Sequence, residues 1–218
     1  MVYNKKGIKT ARGDSLVDKK GKSFTLIELI VVIAIISTLA AIITPNIFRA
    51  IKKAQISRTI ESFEVIKAAT LHYYTDTGQW VPSHYIINDT GPFFQDNGVP
   101  GWGGPYLERY EKSPLVQDAV PGGSHPGWYY VLQDNQMYDS TFDLDRDGTY
   151  DITDGISVCC YGFPSADAYR IDEIVDGVGE WGYKGTMNLI RIWSTSPRDS
   201  YYLVSLLIGQ TGVPRGSR

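Results

Sequence analysis

Cysteine is nearly absent from this 218-residue chain: the only two are the neighbours Cys159 and Cys160. Two cysteines build no disulfide framework, and a bridge between adjacent residues closes a strained small ring, so the expectation is two packed or free thiols. Histidine is almost as scarce. His72, His84 and His125 stand apart without H-E-x-x-H or paired spacing, which argues against a histidine metal centre. No G-x-S-x-G nucleophile context and no glycine-rich phosphate loop after a strand appears, so nothing in the chain reads as an enzyme active site. A basic surface is missing from most of the chain as well. The net charge is −3, but seven bases against two acids before Phe24 leave the remainder at −8. An acidic body lacks the basic face that nucleic-acid binding needs.

What the sequence has instead is one long apolar run. Phe24–Ile43 is 20 residues, nearly all apolar, preceded by Lys5, Lys6, Lys9, Arg12, Lys19, Lys20 and Lys22. As a helix it is about 30 Å long, the thickness of a bilayer's hydrocarbon. The basic stretch places the amino terminus in the cytoplasm and the body across the membrane. A cleaved secretory signal and a plain anchor have the same outline, but neither accounts for Glu28 inside the run, and no clean small-x-small cleavage site precedes Pro45. A carboxylate at membrane depth costs about 2.5–3.5 kcal/mol, so it normally has a partner. No base lies between Phe24 and Phe48, so this helix offers Glu28 no side-chain partner. A cut before Phe24 creates one elsewhere, an α-amino group with an ordinary pKa of about 8. In an assembly of parallel helices, that amine on one subunit can pair with Glu28 of the next and set the register.

The stretch from Ser23 to Pro45 resembles the processing and assembly segment of type IV pilins and type II secretion pseudopilins. The resemblance implies cleavage between Ser23 and Phe24 by a prepilin peptidase, N-methylation of Phe24, and assembly directed by Glu28. Pro45 stands 22 residues into the mature chain, where the family often has proline. Ser23 departs from the glycine usual before the cut. The implied fold is α+β, the pilin lollipop: a long N-terminal helix, transmembrane in its first half, packed on a small antiparallel sheet with a calcium-binding loop. The implied partners are copies of this chain, other pseudopilins, the prepilin peptidase and an inner-membrane secretion platform. The implied place is the bacterial inner membrane, N-terminus cytoplasmic and C-terminal domain periplasmic, with assembly into a pseudopilus that moves material mechanically and catalyses nothing. A type IV pilus subunit is the near alternative. A membrane-anchored calcium-dependent enzyme or carbohydrate-binding domain is the distant one.

The domains expected are a leader over 1–23, the assembly helix over 24–44, an amphipathic helical half over 45–77 and a globular domain over 78–218. Pro45 predicts a kink or local melting. Beyond it Ile56, Ile60, Phe63, Ile66 and Tyr73 recur at helical spacing and predict packing on a sheet, with an end near Gly78. The segment from Gly98 to Tyr110, GVPGWGGPYLERY, reads as a structured loop and resembles a GPYL-like run of major pseudopilins. Strands are expected at Trp128–Leu132, Met137–Phe142 and Ile156–Tyr161, with strands or a short helix at Leu189–Trp193 and Tyr201–Ile208. Asp172, Glu173, Asp176 and Glu180 read as a solvated acidic loop.

The sharpest chemical signal is DLDRDGTYDITD, Asp143 to Asp154. Carboxylates stand at loop positions 1, 3, 5, 9 and 12, with Gly148 at position 6, the EF-hand calcium pattern. The expected ligands are Asp143, Asp145, Asp147, the Thr149 backbone carbonyl, Asp151 and Asp154. Position 12 holds Asp where calmodulin-like loops have Glu, and the flanks look like strands, so the loop alone is inferred. The resemblance agrees, since major pseudopilins hold structural calcium in a distal loop.

Overall fold

Between Gly21 and Gly78 the chain has no glycine and one proline, so nothing but Pro45 interrupts helical propensity over more than fifty residues. The computed structural model describes residues 24–82, 85–87, 90–109, 112–116, 127–133, 141–177, 185–194 and 200–210. Helix α1 covers Leu26–Thr77, 52 residues, and continues through Pro45. Local melting at Pro45 is therefore not found: a missing donor removes one bond from a ladder that the strong helix formers on both sides maintain. The helix ends where the sequence places it. Gly78 takes a left-handed φ of 66° and donates to the Tyr74 carbonyl at 2.8 Å, closing the last turn.

The chain divides into two compact units, Met1–Asn46 and Ile47–Arg218. In the first, every described residue is exposed, and the apolar side chains from Phe24 to Ile43 cover all sides of the helix. The second has a conventional core. Its part of α1 buries Ile56, Thr59, Phe63, Ile66, Ala69, Thr70 and Tyr73 on one face. Phe63 packs edge-on against Tyr129 of the sheet, with ring centroids 5.2 Å apart.

The sheet has five antiparallel strands in the order β1-β2-β3-β5-β4. They are β1 Tyr85–Ile86, β2 Tyr129–Gln133, β3 Gly155–Pro164, β4 Met187–Ser194 and β5 Ser200–Gln210. The two tail segments are both strands. Of the expected strand at Met137–Phe142, positions 137–140 lie outside the described residues, and Phe142 forms only an isolated bridge with Ile152. β3 is buried almost throughout, which explains its apolar run. On it Cys160 faces the α1-side core and Cys159 faces a smaller cluster with Leu132 and Leu203. The two thiols are free because consecutive strand residues point to opposite faces.

One element corrects the sequence reading. The segment read as a solvated acidic loop is helix α2, Ser165–Asp176, on which Asp172 is buried and Glu173 pairs with Arg170 one turn back. Glu180 lies outside the described residues. The helix forms because Ala168 and Ile171 reach the core, while Lys52 of α1 donates to the buried Asp167 carboxylate at 2.6 Å. Gly177, with φ of 80°, ends it.

Candidate functional site

The helix start is the first functional feature. Ser23 lies outside the described residues, and Phe24 is 88% exposed. Thr25 precedes the first helical residue. Its N–H and its hydroxyl both donate to Glu28 Oε2 at 2.8 Å, and its Oγ1 accepts the Glu28 N–H at 3.3 Å. This reciprocal pair is a capping box, with Thr at the cap and Glu three residues on. The expectation that the helix offers Glu28 no side-chain partner is thereby corrected. The partner is a hydroxyl and not a cation, and its T-x-x-E spacing is legible in the sequence. The other hydroxyls follow the same logic: Thr38 donates to the Ala34 carbonyl at 2.8 Å and Thr44 to Ala40 at 2.6 Å. Polar side chains in an apolar segment thus turn back on their own helix, which spares the cost of an unsatisfied group in hydrocarbon. Leu26–Thr77 contains a stretch long and apolar enough to cross a membrane.

The acidic loop is the second. Phe142 and Ile152, both buried, exchange backbone hydrogen bonds of 2.9 and 3.0 Å and hold the loop's ends together. Between them the chain turns through positive φ at Arg146 (65°) and Gly148 (92°). The turns gather Asp143, Asp145 and Asp151, which each present a carboxylate oxygen within 4.8 Å of the others. Asp151 Oδ2 accepts the Leu144 N–H at 2.7 Å and the Asp145 N–H at 3.4 Å. Asp143 is 3% exposed; its Oδ2 accepts the Gly148 N–H at 3.0 Å, while its Oδ1 is buried without a hydrogen-bond partner. A buried carboxylate oxygen left unsatisfied is costly, and so is the approach of three anions. A hard cation bound by oxygens would relieve both.

The remaining predicted ligands are placed differently. Asp147 Oδ1 accepts the Thr149 N–H at 2.7 Å, and Thr149 is exposed. Asp154 is half-buried just before β3. Neither Asp147 nor Asp154 belongs to the converging group. His72 is exposed on α1, and His84 and His125 lie outside the described residues. Asp172 is buried on α2, and Glu173 pairs with Arg170. Asp176 accepts the Thr186 hydroxyl and the Met187 N–H, a fastening that the sequence does not announce.

Known proteins match the amino-terminal half of the chain. The family model for the prokaryotic N-terminal methylation motif matches residues 18–44, and one described as PilW, C-terminal, matches residues 50–120. The fimbrial protein EcpC of Eikenella corrodens is 44% identical over 102 residues, which are 47% of this chain and 58% of that protein. A fimbrial protein of Neisseria meningitidis serogroup B is 44% identical over 59 residues, 27% of this chain and 35% of its own length. The type IV major pilin protein PilE1 of Neisseria gonorrhoeae is equally similar over 59 residues, 36% of its length. The chain spans between about a third and three fifths of the length of these curated relatives. No solved structure matches.

Proposed function

Because this chain belongs to the type IV pilin-like family, we propose that it is a structural subunit of a filament built through its N-terminal helix. A prepilin peptidase cuts between Ser23 and Phe24 and the new amine is methylated. The carrying observation is Glu28, a lone acid held at the head of an apolar helix by groups that all lie beyond the cut. Thr25 satisfies the carboxylate while the subunit waits in the inner membrane. On assembly the Phe24 amine of a neighbouring subunit supplies the opposite charge, which fixes axial register. The globular part then lies on the periplasmic side.

The filament we favour is a type II secretion pseudopilus, with other pseudopilins and an inner-membrane platform as partners. Two features support it: the acidic loop and the GPYL-like run. Asp143, Asp145 and Asp151 would hold calcium, with Asp147, the Thr149 carbonyl and Asp154 completing the shell. The ion would neutralise the carboxylates, give the buried Asp143 Oδ1 its partner and tie the loop to the sheet. A type IV pilus subunit is the second reading, favoured by the fimbrial names of the similar proteins.

Intact mass and N-terminal sequencing of membrane-extracted protein, with and without a prepilin peptidase, test the pathway. The expected product begins at monomethylated Phe24 only when the peptidase is present. A chain that begins at Met1 in both cases refutes the processing. Gene deletion then separates the settings, since lost exoprotein secretion marks a pseudopilus and lost surface fibres mark a pilus.

A further inference from the structure

The acidic loop is fastened to two other places in the globular unit, and neither contact uses a carboxylate of the converging group. The Asp143 backbone carbonyl accepts the N–H of Gly185 at 2.7 Å. Arg146 donates from Nη2 to the backbone carbonyl of Asp176 at 2.7 Å. That carbonyl belongs to the last turn of α2, where carbonyls lack helical donors and carry the negative end of the dipole. The Asp176 carboxylate in turn accepts the Thr186 hydroxyl at 2.5 Å and the Met187 N–H at 2.8 Å, joining the end of α2 to the start of β4. Gly185, with φ of 88°, passes so close to Asp176 that a Cβ would lie 2.4 Å from its Oδ2. Loop, helix end and strand start form one cluster hinged on Arg146 and Asp176.

Arg146 is an unexpected residue for its backbone. Among the described residues it is the one non-glycine with positive φ, a conformation that glycine or asparagine adopts more easily. What arginine adds is reach: its backbone forms the turn that gathers the aspartates while its guanidinium holds α2.

We infer that Arg146 is a positioning residue that couples cation occupancy of the Asp143, Asp145 and Asp151 cluster to the docking of α2 on β4. The inference rests on the calcium reading above. With the cluster empty, three carboxylates compete for the guanidinium. A divalent ion satisfies those carboxylates and so removes the competing acceptors, which leaves the α2 carbonyl as the guanidinium's best acceptor. By reciprocity, a guanidinium anchored on α2 holds the loop in its ligating shape and strengthens ion binding. A direct effect opposes this one, because a positive side chain beside the site repels calcium. Between exposed groups that repulsion is weak. The sign of the mutational effect therefore decides.

The experiment is calcium titration calorimetry and amide hydrogen exchange on the full chain in detergent micelles. Arg146→Ala is expected to weaken calcium binding about five-fold or more. Thr186→Val, which alters no charge and loosens Asp176, is expected to weaken it by a smaller factor, and Arg146→Lys to restore most of the Arg146→Ala loss. Calcium is expected to slow exchange of the Met187 N–H in the parent chain and not in Arg146→Ala. Unchanged or tighter binding by Arg146→Ala, or a Met187 amide indifferent to calcium in the parent, overturns the coupling. Absence of any calcium binding to the parent chain overturns the loop reading and the coupling together.

Discussion

A carboxylate in the first turn of an apolar helix is stable only if something meets its charge, and Thr25 meets part of it. The capping box and the proposed intersubunit ion pair make separable demands: the first needs an acceptor, the second a charge. Glu28→Gln keeps an acceptor for Thr25, so its helix start should persist while filament assembly, scored by electron microscopy or crosslinking, is lost as fully as in Glu28→Ala. Assembly by the glutamine variant would remove the ion pair from the account. Thr25→Val should cost about 1 kcal/mol at the helix start, seen as faster amide exchange at residues 26–28. Burial pushes both thiols of Cys159 and Cys160 well above their ordinary range. Their unfolded value is about 8.5. The raised folded value means the stabilisation is fully present below that pH and is lost as pH climbs through the folded value. Stability in urea should therefore be level up to about pH 8 and fall above it. The Cys159→Ala, Cys160→Ala double variant should show a shallower fall, and native protein should resist alkylation until unfolded.

At the scale of elements, the sequence was legible wherever one period governed a long segment. Ile56, Phe63, Ile66 and Tyr73 announced the buried face of α1, and the apolar run at 156–161 announced β3. Phe63→Ala should cost about 3–5 kcal/mol in urea unfolding, since that ring fills the helix–sheet seam. Legibility failed where tertiary contact overrode local pattern. In α2, the acids and Gly177 read as loop because helical apolar residues were few; two core contacts and the Lys52–Asp167 pair suffice to hold it. In β3, strict alternation would turn Phe163 away from α1, yet a register shift at Gly162, with φ of 94°, returns it to the core. The GWGGPY loop read as structured, but its anchor was invisible. Gly101, with φ of 88°, brings its Cα so near α1 that a Cβ would stand 2.3 Å from the Asp76 carbonyl oxygen, and Tyr106 donates to the Asp76 carboxylate at 3.0 Å. Gly101→Ala should thus destabilise by about 2 kcal/mol or more, checked by thermal melting.

For the molecule as a whole, the calcium proposed for the acidic loop would make stability depend on its surroundings. Calcium at about a hundred times its dissociation constant should add roughly 2.7 kcal/mol and raise Tm, with chelation reversing the gain and Asp143→Asn abolishing it. Spacing alone marked five aspartates in the loop, of which Asp143, Asp145 and Asp151 converge while Asp147 and Asp154 do not. It gave no hint of the Arg146 and Asp176 fastenings, because those depend on an α2 that local pattern concealed. The strand order carries a consequence in time. β5, the last of the described elements, lies between β3 and β4 and is the only strand that pairs with β4. If the globular part crosses the membrane progressively, as proposed, β4 arrives before its partner exists. The sheet closes as an insertion into a waiting gap, and until residues 200–210 arrive, one edge of β3 stands open to any stray strand.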